Sequence, residues 1–183
     1  QELLQRLAEK RQALAAAQNE YYLAYTEKKN RIEALSRMEE LFEGYSRSVR
    51  FIMNAYGQKK LRRAALHGPV SKLISVQQRF ATAVETAFGG NMQNIVVQDE
   101  ESAKEAIRYL KEQNGGRATF YPIETVRAQR APDISAAKGI AGFLGTVSEH
   151  VDCAPEYREV VDAMIGKILI ADTNGNEIFA GRG

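Results

Sequence analysis

His67-Gly68-Pro69-Val70 returns as Leu144-Gly145-Thr146-Val147, 77 positions further along the chain. The same offset pairs Val76 with Cys153, Phe80 with Tyr157, Val84 with Val161, Glu85 with Asp162 and Gly89 with Gly166. Four residues then drop out, and an offset of 73 relates Ile95 to Ile168, Val97 to Ile170 and Asp99 to Asp172. A helix-length segment closed by glycine and followed by a β-branched strand therefore occurs twice. That is the signature of one unit duplicated and diverged, and nothing in the duplicated part has the look of a catalytic centre.

Outward from this echo, each half alternates short strands and helices. Val70 to Val76 reads as a strand, Gln77 to Phe88 as a helix stopped by Gly89-Gly90, and Asn94 to Val97 as a strand. Asp99 is a good cap for a helix over 100–113 with Ala103, Ala106, Ile107 and Leu110 on its core face. Ala118 to Ile123 returns as a strand whose Pro122 argues for an edge. The second copy predicts a weaker strand near Thr146 to Cys153 and a helix after Pro155 with Tyr157, Val160, Val161, Met164 and Ile165 inward. A strand follows from Lys167 to Ala171. Asn174-Gly175 between apolar runs is a hairpin signal. Residues 124–143 read as the connector between the halves. The fold class is α+β, mixed α/β, built from two pseudo-repeated subdomains.

Before the repeat lies a different kind of sequence. Leu4, Leu7, Arg11, Leu14, Gln18, Tyr21, Tyr25, Lys28, Ile32 and Leu35 alternate steps of three and four, the a/d seam of a coiled coil, without Gly or Pro. Its apolar members are Leu4, Leu7, Leu14, Tyr21, Tyr25, Ile32 and Leu35. The polar members suit register selection against a partner helix of different sequence. After Leu35 the rhythm slips through Met38, Phe42, Tyr45, Val49, Ile52 and Tyr56, a stammer at which the arm is expected to hand over to the body. Gly57 then ends the helix. The resulting division is 1–56 arm helix and neck, 57–130 first subdomain, and 131–183 connector and partial second subdomain.

Net charge is +2 over 183 residues, but residues 44–68 carry Arg47, Arg50, Lys59, Lys60, Arg62 and Arg63 against no Asp or Glu. Residues 131–183 reverse the balance, with four cations against eight carboxylates. Arg127 and Arg130 extend the basic stretch. Such clusters supply salt-dependent, sequence-independent affinity for a phosphate backbone. No run is long enough for a membrane span, and a single cysteine, Cys153, fits a reducing compartment. The chain begins at Gln1 rather than Met, and both ends read as cuts through a larger protein.

Chemistry-bearing patterns are absent or explained by structure. The Gly pairs are not followed by Gly-Lys-Ser/Thr, so no phosphate loop is present. In Glu149-His150-x-Asp152-Cys153 an extended chain puts Cys153 on the opposite face from His150, and no second ligand pair has metal spacing. His67 has no nucleophile constellation around it. The reading is a non-enzyme with no metal and no cofactor.

Taken together, the arm, the basic neck, His67-Gly68-Pro69-Val70-x-x-Leu73-Ile74-Ser75-Val76, then Ala83-Val84-Glu85-x-Ala87-x-Gly89-Gly90-x-x-Gln93-x-Ile95-Val96-Val97 and Ala118-Thr119-Phe120-x-Pro122 resemble the hinge domain of the SMC (structural maintenance of chromosomes) proteins, most of all the bacterial condensin form. The resemblance covers 44–171. It implies a body of two similar subdomains, pairing with a second hinge as a homodimer, arms that end in ATPase heads elsewhere in the parent protein, and weak non-specific DNA contact near the neck. It also implies a cytoplasmic, nucleoid-associated role in chromosome condensation and segregation, and a coiled-coil partner helix beyond this chain. Without that partner the arm seam is expected to self-associate or fray. Gly139, Gly142 and Gly145 are then candidates for close backbone approach at the dimer interface. The pattern departs from the family after Asp172, where a hairpin replaces an expected helix. The alternative is a monomeric nucleic-acid-binding or scaffold domain that oligomerises only through its coiled coil.

Overall fold

The structure is a computed structural model that describes every residue except 1, 41, 43, 129–131, 136, 174–176 and 183. Two compact units result, Gln1–Gly44 and Tyr45–Gly183.

The first unit is dominated by one helix, α1 (Glu2–Glu40), roughly 58 Å long at 1.5 Å per residue. Good helix formers and the absence of Gly and Pro sustain it. Its whole seam lies open, with Leu4 73% and Tyr21 75% exposed. No helix among the described residues is long and apolar enough to cross a membrane.

The hand-over expected after the slip at Leu35 comes at Gly44, which adopts a positive φ of 91°, and a new helix, α2 (Arg47–Gly57), starts beyond it. Ser46 caps α2 by accepting from the Val49 N–H. Val49, Ile52, Met53 and Ala55 are buried, so this stretch packs within the second unit.

The body then repeats itself element for element. Strand β1 (Leu66–Pro69), the helical turn α3 (Val70–Leu73), β2 (Ile74–Val76), a 3-10 turn at Gln78–Phe80 and α4 (Ala81–Phe88) form the first pass. Each recurs 77 residues later as β5 (Phe143–Thr146), a 3-10 turn at Val147–His150, β6 (Val151–Cys153), a 3-10 turn at Pro155–Tyr157 and α6 (Arg158–Ile165). Between the passes lie β3 (Ile95–Val97), α5 (Glu100–Glu112) and β4 (Phe120–Pro122). After α6 come β7 (Ile168–Thr173) and β8 (Glu177–Arg182).

Two sequence expectations are corrected here. The apolar runs Val70–Val76 and Thr146–Cys153 are not single strands. Each turns helically after a strand and resumes extended; in the first, the Val70 N–H still carries the β1–β3 register one step further by bonding Asn94 O as the helical turn begins. The second half of the echo is also offset by 74 rather than 73. Leu66 pairs with Val97 and Gly68 with Val96 across a bulge, while Phe143 pairs with Ala171 and Gly145 with Ile170 across the same bulge. The Gln98 N–H to Ala65 O bond (2.9 Å) recurs as Asp172 N–H to Gly142 O (2.8 Å). Three residues, not four, drop out.

The halves meet through an internal two-fold. β2 and β6 run antiparallel with Ile74 opposite Cys153, Ser75 opposite Asp152 and Val76 opposite Val151. Ser75 and Asp152 are equivalents in the repeat, so the pseudo-axis passes through their pair. One core serves both sides: Val70, Ala83, Val84, Phe88 and Val96 are buried with their counterparts Val147, Val160, Val161, Ile165 and Ile170.

Where the copies diverge is the far edge of each sheet. In the sheet β1-β3-β4, β4 runs parallel to β3, reached through the α5 crossover. In β5-β7-β8 the corresponding place beside β7 is taken by β8, antiparallel, with Thr173 opposite Glu177. Helices α2 and α5 pack over the first sheet, burying Ile95 and Val97 completely. Ile107, expected on the core face of α5, is instead 39% exposed, and Ser102 takes a buried place by accepting the Ala65 N–H.

Candidate functional site

The basic stretch is held in place by two apolar anchors. After α2, the Gln58 and Lys60 N–H groups bond back to Asn54 O and Ala55 O, and Lys59 takes a positive φ of 57°. Leu61, 3% exposed, and Ala64 then plug into the body. Lys59, Lys60, Arg62 and Arg63 project on either side of Leu61, all exposed, as are Arg47 and Arg50 on α2. Among the described residues none of the six forms an ion pair. The backbone N–H of Arg63 lies 3.5 Å from Glu105 Oε1.

The sheet brings Arg127 to the same end. Leu66 and Pro122 flank Val97 on its two sides, so the loop entering β1 and the turn leaving β4 sit two strands apart, about 10 Å. Arg127 is nevertheless folded back, its guanidinium donating to Glu124 O (2.9 Å) and Val126 O (2.6 Å). Arg130 lies outside the described residues. Sequence reading missed Arg117 and Lys111. The Ser48 hydroxyl of α2 donates to Arg117 O at 2.5 Å, which sets this exposed arginine beside the basic helix. Only the three-dimensional return of residue 117 to residue 48 reveals it.

The three glycines separate in role. Gly142 (φ 83°) is exposed and abuts Asp172, and a Cβ there would collide with the Asp172 carbonyl. Gly145 (φ 101°) is buried at the bulge of β5, and a Cβ would meet the Glu149 carboxylate that caps Thr146 N–H. Its counterpart Gly68 (φ 131°) makes the bulge of β1. The glycine shared by the two copies therefore has an internal, conformational reason. Gly139 is exposed with open space around it.

The remaining chemical side chains are engaged within the fold. His67 bridges the halves: Nδ1 lies 3.0 Å from the Tyr157 hydroxyl and Nε2 3.1 Å from Gln98 Oε1. Burial, with help from Glu156, pushes the Tyr157 phenol up to about 12. His150 packs its ring on Phe80 and reaches Leu144 O at 2.9 Å. The Cys153 thiol is raised by burial. Among the described residues no group of three His, Cys, Asp or Glu is placed to hold a metal ion.

With this geometry in view, residues 63–177 match the family described as the flexible hinge domain of SMC proteins. The chain belongs to the SMC hinge family. This hinge is 38% identical over 146 residues to the chromosome partition protein Smc of Halothermothrix orenii, and 37% identical over 142 residues to that of Bacillus subtilis. Those alignments take in 79% and 76% of the hinge chain but 12% of each relative, so the chain spans about an eighth of their length. Among solved structures it is similar to the SMC hinge domain of Geobacillus stearothermophilus, seen as an asymmetric dimer, with a TM-score of 0.74 and 33% identity, covering 82% of this chain and 59% of that one. The Pyrococcus furiosus SMC hinge domain gives a TM-score of 0.52 at 25% identity, covering 72% and 75%. The mixed α/β fold and the long helix leading into it are those of an SMC hinge with an arm stub, and such a hinge is not itself catalytic.

Proposed function

We propose that this hinge pairs with a second hinge, joins two coiled-coil arms of a chromosome partition protein, and touches DNA without sequence preference through its basic neck. The observation that carries the pairing is the similarity to a hinge seen as an asymmetric dimer. Open edges suit strand pairing: among the described residues β5 has only β7 beside it, with Gly139 and Gly142 exposed just before it and the Gly145 bulge shaping its path. The arm supplies the open seam from Leu4 to Leu35 for a partner helix. For DNA, the support is six exposed cations without ion pairs among the described residues, Lys59, Lys60, Arg62 and Arg63 around the buried Leu61 and Arg47 and Arg50 on α2, with Arg117 beside α2, Arg127 at the same end of the sheet and Arg130 following it in sequence. The implied place of action is the nucleoid, in the cytoplasm. Residues 57–130 and 131–183 are the two subdomains of this reading, joined by a common core rather than by a linker.

The test is sedimentation velocity on residues 44–183, with and without a short DNA duplex at low salt. A dimer that binds the duplex is expected. A monomer would assign pairing to the arm and favour a scaffold whose coiled coil alone oligomerises. Lys59, Lys60, Arg62 and Arg63 changed together to Glu should abolish DNA binding with the fold and dimer intact. Undiminished binding would remove the neck from the mechanism.

A further inference from the structure

We propose that His67 is a proton-operated switch between the two halves of the body. When its imidazole gains a proton, the Tyr157 hydroxyl turns from His67 to the Glu156 carboxylate. One cation then ties the 3-10 turn before α6 to the turn after β4. The device depends neither on hinge pairing nor on DNA contact.

The tautomer follows from the far end of the chain of bonds. Gln98 Nε2 donates to Glu124 Oε1 at 3.1 Å, which fixes the amide with its own oxygen toward His67. His67 Nε2, 3.1 Å from that oxygen, must therefore be a donor. In the neutral ring Nδ1 is then the acceptor, and the Tyr157 hydroxyl, 3.0 Å away, is the group that fills it. The two rings meet edge to face, with centroids 5.4 Å apart.

The hydroxyl has one proton and two acceptors within reach. The second is the exposed Glu156 carboxylate. Burial and the bond to Glu156 push the phenol up to about 12, so it stays protonated throughout the range in which histidines titrate. Once Nδ1 carries a proton, the ring donates on both sides and the Tyr157 oxygen accepts from it. The hydroxyl proton is then released to Glu156 by rotation about the phenolic C–O bond. Both partners of the charged ring now lead to a carboxylate, Tyr157 to Glu156 and Gln98 to Glu124. Bonds to ionised groups are shorter and stronger than neutral ones.

The switch occupies one of two equivalent places. The repeat takes His67 to Leu144 and Tyr157 to Phe80, so the other crossing has neither the base nor the hydroxyl. His150 lies there, but it packs on Phe80 and gives Nε2 to Leu144 O, a carbonyl that accepts from the ring in either charge state. The other charged groups on the elements around His67 are engaged elsewhere. Asp99 accepts from the Ser102 N–H, Glu159 from the Ala128 N–H, and Arg158 donates to Ser148 O and Val151 O. Arg127 donates to Glu124 O and Val126 O, and β1 carries no other charge.

The experiment is an NMR titration of the ¹⁵N-labelled 183-residue chain from about pH 8 to about pH 5, the range that brackets an ordinary histidine. The chain has two histidines, and His150→Gln assigns their ring signals. The neutral His67 ring is expected as the Nε2–H tautomer, with the amide signals of Glu156, Tyr157 and Glu124 moving at the same midpoint as the ring. Because coupling is reciprocal, Glu156→Gln should make His67 take its proton at lower pH than in the parent. Glu101→Gln, on the exposed face of α5, should leave the midpoint where it is. Tyr157→Phe should abolish the response of Glu156 while His67 still titrates. An Nδ1–H tautomer in the neutral ring overturns the proposal, as does an unresponsive Glu156 in the parent or an identical midpoint in Glu156→Gln. The tautomer and the Glu156 response are read on the parent chain, so the test stands even where a variant fails to fold.

Discussion

At the residue scale, three glycines at the sheet edges, two of them echoed, are conformational devices. Gly68, Gly142 and Gly145 hold φ values of 131°, 83° and 101°, which L side chains adopt only with strain. Gly68 has open space for a Cβ, so Gly68→Ala should destabilise the body by about 1–3 kcal/mol from backbone strain alone. Gly142→Ala should destabilise more, because its Cβ also drives into the Asp172 carbonyl at the rim of the β5-β7 ladder. Gly145→Ala falls between, since the obstructing Glu149 carboxylate can swing away but gives up its bond to Thr146 N–H. Urea midpoints of the three variants test this order. Asp99 adds a pH term. Its carboxylate accepts from the Ser102 N–H at 2.7 Å, and that bond, with one from the Ser102 hydroxyl, holds the acid below its ordinary value. A depressed folded value means the stabilisation is complete above the unfolded carboxylate value of about 3.9 and is lost as pH falls through the folded one. Asp99→Asn should therefore be less stable than the parent near neutrality and converge with it at low pH. A constant gap across the titration would mean the carboxylate charge plays no part. The cap, the helix it starts and the cations of the neck were all readable in the sequence. Ile107 and Arg117 were not, because the exposure of the first depends on which way α5 rolls on its sheet, and the position of the second on a long-range return to Ser48.

At the element scale, the duplication is a packing principle. The β2-β6 ribbon and the shared core put one half's helix against the other's, so neither half has a complete core of its own. Phe88→Ala and its counterpart Ile165→Ala should each cost about 2–5 kcal/mol, and each should lower the stability of both halves together. Hydrogen exchange at β3 and β7 amides reads this directly. Independent loss of one half would mean that the common core does not couple them. The repeat itself was legible because glycine bulges and helix lengths survive divergence. Its register was not, since Ile95-Val96-Val97 aligns equally well with Ile168-Leu169-Ile170 or with Leu169-Ile170-Ala171 by composition. Burial decides: Val96 and Ile170 are the members that point into the common core. The stammer after Leu35 marked the hand-over to the body but not what covers the apolar face beyond it, for a related reason. A three-four rhythm records an apolar face without saying whether a partner helix or the body's own sheet covers it, and Val49 and Ile52 are covered by the body.

At the scale of the whole molecule, the charges divide by location, with the neck positive and residues 131–183 negative. If the neck meets phosphate, each cation that makes a contact releases counterions, and removing it should lower the slope of log K against log salt by about 0.9. The geometry predicts which ones count. Lys59, Lys60, Arg62 and Arg63 stand free around a buried Leu61, so single neutral substitutions such as Lys60→Gln and Arg62→Gln should each reduce the slope by nearly that amount. Arg127, though at the same end of the sheet, has its Nη1 engaged on Glu124 O and Val126 O, which folds the side chain back on its own turn, and Arg127→Gln should lower the slope by less. Titrations of a short duplex at several salt concentrations separate the two classes. Equal slopes for all three variants would mean that the phosphate path crosses the turn after β4 as well as the neck, and a parent slope near zero would mean that the cations serve solubility and not DNA.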